Sequence, residues 1–285
     1  MRSLGLEREA EGASAHESGA RIRSYRVSGV ALKGLLPSEK APGRVSSPPP
    51  AVSEERIRVG LLSGVAGYVD ATGFVMLLGL FPAHLTGELV GAAVEFFSGH
   101  TPGRLTHFLM IPVFMLSVAF AAVVARAVRG RGQTPLGALL ALMTLALVVL
   151  TATGSLPALL GEQARGLATL VSGACAVVAM GFQNTFMRES LSGSCPTTVM
   201  TGNLTQFVIE LVNALLARFD RRLVPPSERA KSDARLRVVS TALASFFFGA
   251  ALGGWVTGKF GPYGAALPAT VVGGLTLSAY RRARA

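Results

Sequence analysis

The sequence predicts an all-α integral membrane protein with about six transmembrane helices and two shorter re-entrant ones, arranged as two inverted repeats. Three observations predict it. Apolar residues make up 50% of the 285, mean hydropathy is +0.48, and charged residues reach only 15%, against roughly 25% in soluble domains. The apolar residues gather into eight stretches, several long enough for the ~20 residues that a bilayer core requires. Finally, Gly67-Tyr68-Val69-Asp70 followed by His84-Leu85-Thr86-Gly87-Glu88-Leu89 returns as Gly181-Phe182-Gln183-Asn184 followed by Val199-Met200-Thr201-Gly202-Asn203-Leu204.

Taken in order, residues 1–55 are polar and rich in Ser, Gly and Pro, ending near the Pro48-Pro49-Pro50 run. That composition predicts a disordered cytoplasmic tail. The early arginines are not followed by an apolar core, which argues against a secretory signal peptide. The first membrane unit, residues 56–160, begins with a span from about Ile57 to Phe81 that places Asp70 near its middle. Pro82 then leads into a short piece, about Ala83 to Phe97, carrying His84, Glu88 and Glu95. A third piece runs from about Leu105 to Val128, with Pro112 predicting a kink. The fourth covers about Leu136 to Leu150. In the second unit, residues 161–285, four pieces answer these: about Leu167 to Met187, Thr197 to Leu216, Leu236 to Thr257 and Tyr263 to Ala279.

Topology turns on whether the second piece of each unit crosses. If neither does, six spans leave both termini inside. The basic residues Arg126, Arg129, Arg131, Arg188, Arg218, Arg221, Arg222, Arg229, Lys231, Arg235 and Arg237 then fall on that side, as the positive-inside rule requires. With eight spans, Arg126, Arg129, Arg131, Arg188 and Lys259 would lie outside, a poorer fit. Three crossings per unit invert one repeat relative to the other and bring the two Thr-Gly pieces toward the midplane from opposite faces. Four crossings would make the repeats parallel.

The net charge of +11 and pI near 10.8 would suit nucleic acid. However, Lys and Arg cluster beside apolar segments without interleaved aromatics, so they read as topology signals and no nucleic-acid partner is expected. Cys175 and Cys195 show no metal-ligand spacing, and neither a metal nor a cofactor is expected. No GxSxG elbow or HExxH pair is present, and Gly253 to Lys259 fits the letters of a phosphate loop but is followed by Phe260 in place of Ser or Thr. No catalytic residue is assigned and an enzyme is not expected.

Candidate residues follow from the cost of polarity in hydrocarbon. An acid in mid-span costs ~2.5–3.5 kcal/mol on insertion scales and is kept where it pairs, hydrogen-bonds or faces water. Asp70 therefore reads either as a proton or cation relay, with His84 or Glu88 as partner, or as a neutral group tying helices together. Its counterpart Asn184 cannot titrate. Thr86-Gly87 and Thr201-Gly202 offer hydroxyls and exposed backbone at helix breaks. Glu88 is matched by Asn203, acid against amide. Together Asp70, His84, Thr86, Gly87, Glu88, Asn184, Thr201, Gly202 and Asn203 form the expected solute or ion pathway. Glu95 and Glu210 read as interfacial or helix-pairing, and Arg188 as a topology anchor. Gly249, Gly253, Gly254 and Gly258, like Ser117, Ala121 and Ala125, predict close helix packing between the units or at a homo-oligomer interface.

The paired segments Gly67-Tyr68-Val69-Asp70-Ala71 with His84-Leu85-Thr86-Gly87, and Gly181-Phe182-Gln183-Asn184 with Pro196 to Leu204, resemble the hallmarks of the YoaK-like family. The resemblance covers roughly Arg56 to Tyr280. It implies a multi-pass protein of the bacterial inner membrane with about six spans, and supplies no established activity. Glu88 departs from the family pattern, in which Asn commonly follows the Thr-Gly. The expected function is passage of a small solute or ion through a polar site between the units; the alternative is a non-transporting membrane scaffold whose polar residues only hold helices together.

Overall fold

The computed structural model describes residues 52–284 apart from 78, 99–103, 162, 164, 192–193 and 220–224. Residues 1–51 of the expected tail lie outside the described residues, and its last four already belong to the first helix. Among the described residues there are nine α-helices, one 3-10 segment and no strand.

Helix α1, Val52–Met76, carries Glu54 and Glu55 in its first turn, where carboxylates complement the helix dipole. It stops five residues before the expected end of the first span, because the chain turns through Gly79 at φ 83° and then meets Pro82. Asp70 consequently lies six residues from the end of α1, in its last third instead of its middle. Helix α2, Leu85–Ser98, is followed by α3, Arg104–Gly130, which continues through Pro112 as one helix. Next come α4, Leu136–Gly154, and a short α5, Leu156–Leu160, that the sequence reading did not separate. The second half contains α6, Arg165–Ser190, and α7, Met200–Phe219. It closes with α8, Pro226–Phe260, the 3-10 turn Gly261–Ala265 and α9, Ala266–Arg284.

Five apolar helical stretches are long enough to cross a bilayer: Glu54–Met76, His107–Gly130, Leu136–Gly154, Arg165–Ser190 and Glu228–Ala283. The last covers most of α8 and α9 with the turn between them. At 14 residues α2 is too short. Helix α7 has 20 residues, but Asn203, Gln206, Glu210 and Asn213 dilute its apolar character and it is not among the five.

The packing partners reveal the directions of the helices. Along α1, Gly60 faces Thr241 and Ser245, Gly64 faces Gly249, Tyr68 faces Gly253, and the hydroxyls of Thr72 and Thr257 meet at 3.0 Å. Numbers rise together, so α1 and α8 run parallel. Helices α3 and α6 do the same: Met110 lies beside Gly173 and Ser117 beside Gly181, while Arg129 pairs with Glu189. Helices α4 and α9 run antiparallel, since Gly137 faces Tyr280 while Thr144 bonds Thr276 at 3.1 Å.

The α1–α8 seam is backbone against backbone. A Cβ on Gly249 would stand 2.0 Å from the Gly64 carbonyl oxygen, and one on Gly253 2.6 Å from that of Tyr68. Gly254 and Gly258, expected to share in this packing, face open space. Two Gly at i and i+4 share one helix face, whereas i+5 turns to the next, so Gly254 and Gly258 follow a different stripe from Gly249 and Gly253. Ser117, Ala121 and Ala125 are buried as expected. The core joins Leu62, Val69, Met143, Leu147, Val177, Met180, Phe186 and Val272. Large apolar side chains such as Leu116, Val123, Leu145, Phe247 and Phe248 point outward; such a surface suits lipid and would be a liability in water.

Candidate functional site

Two polar clusters stand out, each built where a first helix meets the connection that folds back against it. In the first, the chain leaves α1 at Met76 and returns alongside it. A Cβ on Gly73 would lie 2.4 Å from the Leu80 carbonyl oxygen and 2.7 Å from Pro82 Cδ, so only glycine lets the connection lie this close. Asp70, 3% exposed, fastens it: Oδ1 accepts the Ala83 N–H at 2.6 Å and Oδ2 meets His84 Nδ1 at 2.5 Å. The His84 ring also sets its edge against Phe246 of α8, 5.4 Å between centroids. Because its imidazole hydrogen-bonds to the Asp70 carboxylate, His84, which lies outside the spanning helices, has a pKa held above its ordinary value against the opposing effect of burial.

Glu88 forms a second clamp on the same connection. It too is 3% exposed; Oε1 accepts the Phe81 N–H at 2.7 Å, and Oε2 lies 2.7 Å from Nδ1 of His107 in the first turn of α3. The expected partner for Asp70 was His84 or Glu88, and the structure chooses His84. Glu88 takes an imidazole of its own, which sequence reasoning missed. A histidine in the first turn of the next apolar stretch was the available signal.

The second cluster repeats this plan with neutral groups. Asn184 Oδ1 accepts from the Thr198 hydroxyl at 2.6 Å, fourteen positions on, the same separation as Asp70 and His84. Asn203 donates from Nδ2 to the Pro196 carbonyl at 2.6 Å, seven positions back, as Glu88 reaches seven back to Phe81. The exchange of acid for amide has a local cause. Position 81 offers an N–H, which a carboxylate can accept. Position 196 is proline and has no N–H to offer, so the side chain must donate to the carbonyl instead, which an amide can do and a carboxylate cannot.

Gln183, wholly buried, spans the two halves by donating to the Leu62 carbonyl at 3.0 Å and to the Thr197 hydroxyl at 2.8 Å. It stood within the quoted motif but was not singled out. Its Oε1 has no hydrogen-bond partner. Since Gln183 meets α1 at Leu62 while the other cluster holds Asp70, the two clusters are separated by about 12 Å along α1 at 1.5 Å per residue. Val65, Ala66 and Val69 are buried between them. They do not converge at one level.

The Thr-Gly pairs are placed differently from expectation. Thr86, Gly87, Thr201 and Gly202 are all exposed, and they occupy the first turns of α2 and α7 instead of breaks within helices. Each Thr precedes Glu88 or Asn203 by two residues, a spacing that puts the pair on opposite sides of a helix. Burying the acid or amide therefore turns the threonine outward. Glu210 is buried and joins α7 to α8, in keeping with a helix-pairing role. Arg188 is exposed, and the Glu95 side chain lies outside the described residues. The described residues contain no group of His, Cys, Asp and Glu that could hold a metal.

No curated protein and no solved structure matches the chain. A family model described as a protein of unknown function (DUF1275) matches residues 59–278, in keeping with the resemblance carried by the paired motifs, and the chain belongs to that family.

Proposed function

We propose that this chain is a small-solute or ion permease of the bacterial inner membrane, not an enzyme, with both termini cytoplasmic and two related units of opposite orientation. The observation that carries the reading is the matched pair of clusters: in both units a connection folds back into the apolar bundle and is fastened to the preceding helix by side chains at the same separations. Inversion is supported by the fourth helices, α4 and α9, which run antiparallel. Equivalent helices of parallel units would run the same way, and the other pairings, α1 with α8 and α3 with α6, suit either arrangement. Asp70 and Glu88, each against an imidazole, form the titratable station of the first unit. Asn184 and Asn203 form the neutral station of the second, and a solute passes from one to the other.

The scaffold alternative rests on a specific observation of its own: Asp70, Glu88, Asn184 and Asn203 all have protein partners, with apolar side chains filling the space between the clusters. Uptake by proteoliposomes of a panel of radiolabelled amino acids and alkali cations, measured either side of the histidine range, separates the two. The permease reading expects pH-dependent uptake that Asp70→Asn shifts. Unchanged uptake would remove Asp70 from the mechanism, and no uptake of any panel member together with no proton flux would leave the scaffold.

A further inference from the structure

Helices α7 and α8 form an antiparallel pair: Glu210 accepts from Ser232 at 2.5 Å and from Gln206 at 2.6 Å, and faces Arg235 at 3.8 Å. Where the last turns of α7 meet the first turns of α8, a cavity of about 430 Å³ is lined by Asn213, Ala214, Arg218, Arg229, Ser232 and Asp233 among others. Two arginines, Arg218 and Arg229, thus line it against one exposed acid, Asp233. Lys231 and Arg237, both exposed, add positive charge on the same end of α8. Guanidinium groups and a side-chain amide are the donors that phosphate oxygens demand.

Beside the cavity, α7 presents an apolar stripe to the outside. Val208, Leu211, Val212, Leu215 and Phe219 are 50%, 38%, 46%, 47% and 86% exposed, and they recur at the three- and four-residue steps of one helix face. The stripe ends next to Arg218. Charged cavity and hydrocarbon-seeking surface are therefore continuous, as an amphiphile requires. We infer that the α7–α8 cleft binds an anionic phospholipid, its phosphate held by Arg218 and Arg229 and its acyl chains laid along the α7 stripe. A free phosphate would use the cavity and leave the stripe without a role; a zwitterionic lipid would bring an ammonium group to a surface already rich in cations.

The inference is independent of transport. The test is thermal unfolding of the purified full chain in detergent micelles titrated with phosphatidylglycerol, phosphatidylcholine or inorganic phosphate. Phosphatidylglycerol should stabilise the chain, and the other two should not. Arg218→Gln with Arg229→Gln should weaken the apparent affinity about 30-fold, roughly fivefold per arginine, without altering unfolding in phosphatidylcholine. Ala214→Trp, which fills the cleft at constant charge, should weaken it comparably. The site is refuted if Arg126→Gln with Arg131→Gln, at the end of α3, costs as much, because the attraction is then diffuse. Equal stabilisation by phosphatidylcholine or by inorganic phosphate also overturns it, as does full retention of binding in both cleft variants.

Discussion

Asn203→Asp should damage this protein far more than Glu88→Gln, although the two substitutions merely exchange acid and amide at equivalent positions. Asn203 is 4% exposed, and its Nδ2 donates to the Pro196 carbonyl at 2.6 Å. An ionised aspartate there has no proton to give and faces a carbonyl oxygen. The unsatisfied buried acceptor costs ~1–3 kcal/mol, and the poorly solvated carboxylate adds a further penalty that protonation relieves. The expected loss is about 2–4 kcal/mol at neutral pH. The variant carboxyl is protonated more readily in the folded chain than in the unfolded one, where its pKa is about 3.9. The native state then binds more protons, so stability falls as pH rises above that value and recovers in acid, where the O–H can donate to Pro196. Glu88→Gln keeps an acceptor for the Phe81 N–H and a donor for an unprotonated His107 Nδ1, so it should cost no more than ~1.5 kcal/mol. Unfolding in mixed micelles over a pH series measures both. A stable Asn203→Asp with no pH dependence, or a Glu88→Gln equally costly, would refute the account of why proline at 196 goes with an amide.

Two further outcomes follow from the packing and from the first clamp. Gly249→Ala and Gly253→Ala should each destabilise by at least ~1–3 kcal/mol, since the new methyl meets backbone that cannot swing aside; Gly254→Ala and Gly258→Ala, which meet nothing, should be neutral or gain up to ~1 kcal/mol of helix propensity; the same unfolding assay ranks all four. The raised pKa of His84 stems first from its hydrogen bond to Asp70, so this contribution to stability is complete below the ordinary histidine value and disappears as pH rises through the folded one. Asp70→Asn should lower the midpoint of the His84 ring signal in an NMR titration, with His84→Gln identifying the peak, and an unmoved midpoint would deny the coupling.

Much of the architecture was legible because hydrocarbon thickness and hydrogen-bond satisfaction act on composition directly. All eight apolar pieces became helices, and the charge-bearing second pieces are the ones that fall short of a span. Helix ends were less legible. The first span was read through to Phe81 because Leu77 to Phe81 is apolar, but Leu77 and Leu80 belong to the connection that folds back on α1 and are buried there, Leu80 wholly; hydropathy registers burial and cannot tell lipid from protein. The pairing of Asp70 with His84 was available from sequence once Pro82 was taken as a reversal. The outward Thr-Gly pairs were not, because the motif's repetition attracted notice to all its members while only alternate ones can face inward. His107 and Gln183 escaped for a related reason, each being a single polar residue whose partner is set by helix packing across many positions.

The difference between the two clusters gives the proposed permease a direction. Four titratable side chains, Asp70, His84, Glu88 and His107, meet around one connection, whereas its counterpart is held by amides, hydroxyls and backbone that do not change charge near neutrality. In the proposed inverted arrangement the first cluster lies toward one face of the bilayer and the second toward the other. On the face that the first cluster meets, acid would leave the bond between His84 and Asp70 at full strength, and a rise in pH through the folded His84 value would loosen that bond. The neutral clamp would keep its hydrogen bonds throughout. A symmetric permease with two acidic stations would respond to either compartment; the proposed one, with Pro196 requiring a donor where Phe81 requires an acceptor, would respond to one.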